Sequence, residues 1–225
     1  MAQRADSPAG TDAVEAAWKQ RAVERSTRAA KLRAEQRVQR FLDAAQVIIR
    51  EKGSTDFTVQ QVVERSRQSL RSFYQHFDGK YELLLALFED ALRQATEQIR
   101  AAAAGPADPL DRLGAAVRRL FELSHPDPAV PRPLFIELAP QLLVSHPAEA
   151  RVAHAPLLAL LTELMEQADD AGALRPGTRP GRVAALTMQT VMFIARSSDA
   201  ADDGTADPLT AGEVWDFCAR GFTQP

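Results

Sequence analysis

The stretch of sequence that decides the fold is residues 57–84, FTVQQVVERSRQSLRSFYQHFDGKYELL. It holds two short amphipathic runs, separated by a gap too small for a linker. In the first run, Thr58 stands where a helix N-cap is expected, because a threonine side chain can accept a hydrogen bond from the first turn. Three valines then follow at helical spacing and share one face: Val59, Val62 and Val63.

The second run predicts another short helix, with Ser69 as its N-cap. Its apolar residues recur at i, i+3 and i+7, which predicts that Leu70, Phe73 and Phe77 point inward. The remaining side chains are then expected to point mostly outward: Ser69, Arg71, Ser72, Gln75 and His76. Since the sequence has no acidic residue between Ser66 and Phe77, this outer face is suited to an anionic partner.

Two short helices joined by a tight turn, with a supporting helix before them, predict a helix-turn-helix whose second helix fits the major groove of DNA. Arg71 has the donors to pair with guanine, and Gln75 can pair with adenine. Hydroxyl groups and Lys80 suit phosphate contacts instead. The candidate DNA-binding residues are Thr58, Gln68, Ser69, Arg71, Ser72, Tyr74, Gln75, His76 and Lys80.

Composition favours an all-α protein. The chain has 225 residues and is 45% hydrophobic, with abundant alanine and leucine and few β-branched runs. Its single cysteine, Cys218, cannot form an intramolecular disulfide, which indicates a reducing compartment. No apolar run is long enough to span a bilayer, and the N-terminus lacks the apolar core of a signal peptide. We therefore expect a cytoplasmic, nucleoid-associated protein without a membrane partner.

The net charge of -3 conceals an asymmetry along the chain. The first 80 residues hold 15 Lys or Arg against 10 Asp or Glu, whereas the rest holds 12 against 20. Residues 18–40 alone carry eight basic residues and two acidic ones. This segment is interpreted as an arm that follows DNA phosphates, with a solvated tail as the alternative.

Periodicity and helix-breaking residues predict about nine or ten helices and no strand. The first is expected within residues 12–52, with a break allowed near Ser26 and Thr27, and Gly53 ends it. Asp78 is expected to cap the helix that follows the helix-turn-helix. The later helices are expected at about 80–104, 109–124, 133–144, 148–171, 179–198 and 208–222.

The segment from about residue 37 to residue 92 resembles the DNA-binding domain of the TetR family of transcriptional regulators. The resemblance rests on the helix ending at Gly53, on FTVQQVVERS, and on SFYQHFDGKYELLLALF. This last stretch is similar to the family pattern aromatic-Tyr-x-x-Phe-x-x-Lys-x-x-Leu. The resemblance implies phosphate contacts for Thr58, Tyr74 and Lys80, and base contacts for Arg71 and Ser72.

Two departures from the family pattern concern the DNA contacts. The turn usually contains glycine, but here it reads Ser66-Arg67-Gln68-Ser69. Arg67 must then adopt the turn conformation, at a cost of roughly 1 kcal/mol if its φ is positive. Arg71 stands where many members have glycine, which predicts that the helix sits farther from the bases and contacts them through the arginine.

We expect an organisation into three parts, of which the last two follow from the resemblance and the first is unusual for the family. These are an N-terminal extension (1–32), a helix-turn-helix domain (33–80) and a helical ligand-binding and dimerisation domain (81–225). Apolar side chains suited to a small apolar effector are Phe88, Phe121, Phe135, Met165, Met188, Met192 and Phe193. Residues expected in a two-fold interface are Phe193, Trp215 and Phe222.

No catalytic motif or cofactor fingerprint is found in the sequence. His125, His146 and His154 lack the spacing of a metal site, so neither a metal nor a cofactor is expected. The expected function is a homodimeric, ligand-responsive transcriptional repressor that binds a palindromic site in double-stranded DNA. The alternatives are a protein–protein interaction module that uses the basic N-terminal face, and, less favoured, a small helical enzyme.

Overall fold

The structure is a computed structural model, and it describes residues 9–124, 133–197 and 209–224. Within these ranges the chain forms ten helices and no strand, as an all-α fold predicts. The helices are α1 (Ala9–Lys52), α2 (Val59–Ser66), α3 (Leu70–Tyr74), α4 (Lys80–Ala103), α5 (Pro109–Ser124), α6 (Leu134–Glu137), α7 (Ala139–Ser145), α8 (Pro147–Asp170), α9 (Pro180–Ser197) and α10 (Ala211–Phe222).

The chain divides into two compact units, Met1–Gly79 and Lys80–Pro225. In the first unit, α1 runs without the break that was allowed near Ser26 and Thr27. As predicted, the helix ends at Gly53. The φ of this glycine is 62°, a value that is strained for other residues. The Gly53 amide donates to the Ile49 carbonyl at 2.8 Å, so one of the last carbonyls of the helix is satisfied.

Three phenylalanines form the core that holds α3 to α1. The rings of Phe41 and Phe73 meet edge to face with centroids 5.4 Å apart, and Phe77 lies 5.3 Å from Phe73. All three side chains are buried. Leu70, in contrast, is 44% exposed, so the prediction that it points inward is wrong. It is the first residue of a five-residue helix, and that helix is too short to bury a third side chain on the same face.

The second unit is built around α5, which packs against α4, α8, α9 and α10. Gly114 lies in the middle of α5, and a Cβ there would come within 3.0 Å of the Trp215 ring. The glycine therefore lets the indole of Trp215 lie close against α5. The Arg118 guanidinium lies over the same ring, 5.6 Å from its centroid, in a cation–π contact.

The helix expected over 133–144 is interrupted, forming α6 and α7. Pro140 explains the interruption, because it has no amide to donate to Ile136 and its ring crowds that carbonyl. The helix α4 begins at Lys80, two residues after Asp78, the residue predicted to cap it.

One arginine ties the loop after α8 to the end of α10. Arg175 donates from its side chain to the carbonyls of Arg220 and Thr223, both at 2.7 Å, and from its amide to Phe222 at 2.9 Å. A cation is favourable at a helix C-terminus because it opposes the negative end of the helix dipole. No helix in the described ranges is long and apolar enough to cross a bilayer.

Candidate nucleic-acid interface

The turn between α2 and α3 is fixed by its own hydrogen bonds. Arg67 is the C-cap of α2 and adopts the left-handed conformation, with φ 54° and ψ 36°. The Gln68 amide donates to the Val63 carbonyl at 3.2 Å, and the buried Ser66 hydroxyl donates to the same carbonyl at 3.0 Å. The φ of Arg67 is therefore positive, which is the case for which a strain cost was expected, and the α2 C-terminus is closed without glycine.

We expect Arg67→Gly to stabilise the first unit by up to about 1 kcal/mol, because glycine adopts positive φ without a Cβ clash. Hydrogen exchange of the α2 and α3 amides measures this as slower opening. The control is Gln60→Gly, at an exposed position inside α2, which should destabilise by about 0.5–1 kcal/mol. Faster exchange in Arg67→Gly would contradict the strain at this residue.

Both predicted N-caps are present. The Thr58 hydroxyl oxygen accepts from the Gln61 amide at 3.2 Å, and the Gln61 side chain in turn accepts from the Thr58 amide at 3.1 Å. The Ser69 hydroxyl oxygen accepts from the Ser72 amide at 3.0 Å. Each hydroxyl uses its oxygen for the helix and keeps its proton, so both residues can still donate to an external acceptor.

The surface of α3 presents a mixture of exposed and covered polar groups. Arg71, Tyr74 and Gln75 are exposed. The Tyr74 ring rests edge-on against Phe73, with centroids 5.4 Å apart, so it is braced by the core. Gln68 is partly exposed, and Lys80 is partly covered at the start of α4, which belongs to the second unit.

Two of the predicted contact residues do not point outward as expected. The Ser72 hydroxyl oxygen and His76 Nε2 are buried, and neither has a hydrogen-bond partner in the described part of the chain. Each residue directly precedes a buried phenylalanine, Phe73 or Phe77, in the sequence. Direct base contact by these two groups is therefore not supported without a local rearrangement.

The charges around α3 are arranged so that the exposed arginines remain available. Arg65 is engaged by Glu51 in an ion pair. In the described part of the chain no carboxylate lies within ion-pair distance of Arg67 or Arg71. The exposed surface of the turn and α3 is thus positive and free of acidic side chains, which suits a phosphate-bearing partner.

In the second unit, six of the seven predicted effector-binding residues are buried: Phe88, Phe121, Phe135, Met165, Met188 and Met192. Phe193 is 63% exposed and so lies on the outer side of α9. The sequence interpretation considered His154 only as a metal or catalytic residue and did not place it near the predicted effector-binding residues, yet its ring lies 5.2 Å from that of Phe88. Its Nδ1 is 2.7 Å from the Ala150 carbonyl and donates to it, because a carbonyl can only accept.

The outer face of α9 and α10 differs from the predicted interface. Trp215 and Phe222 are buried inside the unit, because α10 packs them toward α5 and α9. The exposed apolar side chains are instead Leu186 and Phe193 on α9 and Phe217 on α10. An open groove of about 680 Å³ runs along this face, with Leu186 and Phe217 among its lining residues.

Neither cysteine nor histidine chemistry is evident in the described part of the chain. Burial raises the pKa of the Cys218 thiol, which keeps it protonated and unreactive near neutral pH. Among the described residues, no three histidine, cysteine or acidic side chains are grouped to hold a metal ion. His125 lies outside the described residues.

Comparison with known families identifies this arrangement. Residues 41–87 match the model of the family described as bacterial regulatory proteins, tetR family. The match contains the whole α2–turn–α3 segment and the buried end of α1. The sequence has no significant match among curated proteins.

Solved structures match over most of the chain. SmeT, the repressor of the Stenotrophomonas maltophilia multidrug efflux pump SmeDEF, is 20% identical with a TM-score of 0.62, over 83% of this chain and 90% of that one. The fatty acid degradation regulator FadR from Bacillus halodurans is 17% identical with a TM-score of 0.62, over 81% and 92%.

RolR in complex with the ligand resorcinol is 16% identical with a TM-score of 0.64, over 85% and 89% of the two chains. At these identities the matches show a shared fold. The resemblance of the helix-turn-helix region to the TetR family is therefore confirmed by the family model over residues 41–87, and the solved structures share the all-α fold over most of the chain.

Proposed function

We propose that this chain, a transcription regulator of the TetR type, is a ligand-responsive repressor that binds a palindromic operator as a homodimer. The observation that carries the proposal is the exposed, acid-free surface of α3, held to α1 by Phe73 and Phe77. A helix that is fixed from behind and positive in front can enter a major groove without losing its own packing.

The side chains on this surface divide into two roles. Arg71 is assigned to a guanine, to which it can donate two hydrogen bonds, and Gln75 to a neighbouring adenine. Thr58, Ser69, Tyr74 and Lys80 are assigned to phosphates, because hydroxyl and ammonium donors fix a protein on the duplex without distinguishing bases. Gln68 is placed at the edge of the same contact.

Dimerisation is assigned to the outer face of α9 and α10. Leu186, Phe193 and Phe217 leave an apolar surface uncovered, and a two-fold contact covers the same surface on both copies. Such a dimer contains two α3 helices, and a palindromic site presents its two half-sites on successive major grooves, about 34 Å apart.

The effector is assigned to the buried aromatic and methionine side chains of the second unit. A methionine-rich wall adapts its shape to an apolar ligand, and His154 beside Phe88 supplies a polar group. The structure of RolR with resorcinol supports a small molecule in this fold. By binding one conformation of the dimer more tightly, such a ligand would lower operator affinity.

Arg71→Ala tests the DNA-reading role. We expect a loss of about 1–3 kcal/mol, concentrated at one base position of each half-site, because the guanine loses its bidentate partner. Competition binding with duplexes that differ at single positions measures the loss. Arg67→Ala is the control, since Arg67 is equally free of ion pairs but belongs to the turn. A uniform loss over all sequences would assign Arg71 to phosphate instead.

A further inference from the structure

The first half of α1 is a helix without a protein surface to pack on. Between residues 17 and 40 no side chain is buried, and Phe41 is the first buried residue among those whose burial is described. At about 1.5 Å per residue this stretch is about 35 Å long, close to one turn of duplex DNA. It is continuous with the buried part of α1, so it is carried by the first unit as one helix.

Most charges of this stretch fall on two faces, and Arg25 lies between them. At about 100° per residue, four basic residues fall within about 60° of the helix circumference; this acid-free face consists of Lys19, Arg33, Arg37 and Arg40. The opposite, mixed face consists of Arg21, Glu24, Arg28, Lys31 and Glu35. Both acidic residues of the stretch therefore lie on the mixed face.

The two faces also differ in how their charges are used. On the mixed face, Lys31 pairs with Glu35 at 3.8 Å. On the acid-free face, no carboxylate in the described part of the chain lies within ion-pair distance of Arg33, Arg37 or Arg40. The basic charge is thus partly neutralised on the mixed face, whereas Arg33, Arg37 and Arg40 on the other face have no carboxylate at ion-pair distance in the described part of the chain.

The residues between the basic positions have short side chains. Ala22, Ser26 and Ala30 lie on the acid-free face between Lys19 and Arg33, which lets a partner approach the helix backbone closely. By the same helical count, the exposed apolar residues Trp18 and Leu32 fall outside this face and Val23 lies at its edge. A protein partner normally requires apolar or aromatic anchors, whereas a phosphate backbone requires only repeated positive charge.

We infer that the acid-free face of α1 docks along the DNA phosphate backbone beside the half-site bound by α3. The inference rests on the proposed function. Arg33, Arg37 and Arg40 are spaced at i, i+4 and i+7, so their side chains follow one line along the helix and meet successive phosphates. The contact reads no bases, so it adds affinity that is equal for all sequences and sensitive to salt.

The experiment compares two triple variants of the full chain that remove the same charge. The first variant combines Arg33→Gln, Arg37→Gln and Arg40→Gln. The control variant combines Arg21→Gln, Arg28→Gln and Lys31→Gln. Glutamine has nearly the helix propensity of arginine and lysine, so circular dichroism should show equal helix content. Dissociation constants are measured between about 50 and 200 mM salt for a duplex selected by the wild-type chain and for a random duplex of equal length.

For the first variant we expect the slope of log affinity against log salt to fall by about 3 per bound protomer, because each lost phosphate contact removes about 0.9. Affinity at about 50 mM salt should fall at least tenfold and equally for both duplexes. The control should change the slope by about 1 or less. Equal losses in the two variants would overturn the assignment of this face, since they indicate diffuse attraction.

No loss in either variant would also overturn the inference and leave the arm to an acidic protein partner. The proposed function fails in a distinguishable way: the wild-type chain then selects no sequence from a mixed pool. In that case the random duplex still tests the arm, because its contact with phosphates does not depend on sequence.

Discussion

Replacing Phe73 by alanine is expected to destabilise the first unit by about 3–5 kcal/mol, the range for removing a buried aromatic ring. Phe73 is the only residue of α3 that is buried, and it contacts Phe41, Tyr74 and Phe77. Its loss therefore removes the anchor of α3 together with the support for Tyr74. DNA binding should be lost with it, although the variant changes no residue assigned to DNA.

Hydrogen exchange measured on peptides from α2 and α3 is the suitable readout. Tryptophan fluorescence is less informative, because Trp18 is exposed on α1 and Trp215 lies in the second unit. The control is Phe73→Leu, which keeps most of the apolar volume and should cost less than half as much. If the α3 amides in Phe73→Ala exchange as slowly as in the wild type, the phenylalanine core does not hold this helix.

Phe217→Asp is expected to convert the dimer into monomers. Phe217 is 68% exposed on α10, and in a two-fold contact each copy contributes the same side chain. Burying a carboxylate against an apolar surface, in place of an aromatic anchor, costs about 2 kcal/mol or more per copy. The combined loss is roughly 4 kcal/mol, or about a thousandfold in the dimer dissociation constant.

Sedimentation of the full chain over a range of concentrations measures the change. Val152→Asp is the matched control, because Val152 is also 68% exposed but lies on α8. It should leave the dimer intact. A monomer from both variants, or from neither, would contradict the assignment of the interface to α9 and α10.

Local features of the fold could be predicted from the sequence because local rules determine them. Thr58 and Ser69 cap their helices through hydrogen bonds to residues three positions away. Gly53 ends α1, and Arg67 takes the left-handed conformation that a short turn requires. Each of these depends on a few neighbouring residues, so a single sequence contains all the information needed.

Burial of individual side chains could not be predicted in the same way. Periodicity indicated that Leu70, Phe73 and Phe77 share a face, but it could not show that α3 is too short to bury Leu70. Trp215 was assigned to a partner surface, yet Gly114 makes room for its ring inside the unit. That contact joins residues a hundred positions apart, and a glycine inside a helix gives no sign of which ring it admits.

In the candidate interface too, residue type and spacing could be predicted from the sequence, whereas the burial of individual side chains could not. The type and spacing of Arg71, Tyr74 and Gln75 were evident from the helix period, and all three are exposed. For Ser72 and His76 the expected outward orientation was wrong, since the Ser72 hydroxyl oxygen and His76 Nε2 are buried. Each of these two residues is next to a buried phenylalanine in the sequence. The helical period alone does not show whether its side chain is covered.

Selection of DNA by the full chain from a pool of random duplexes, at about 150 mM salt, tests the central claim most directly. We expect enrichment of a two-fold symmetric sequence. The centres of its half-sites should be separated by about 10 base pairs or a multiple of that. The Arg71→Ala variant should lose the preference for guanine at one position of each half-site. If the protein retains the duplexes at low salt but enriches no sequence, α3 does not recognise a specific DNA sequence.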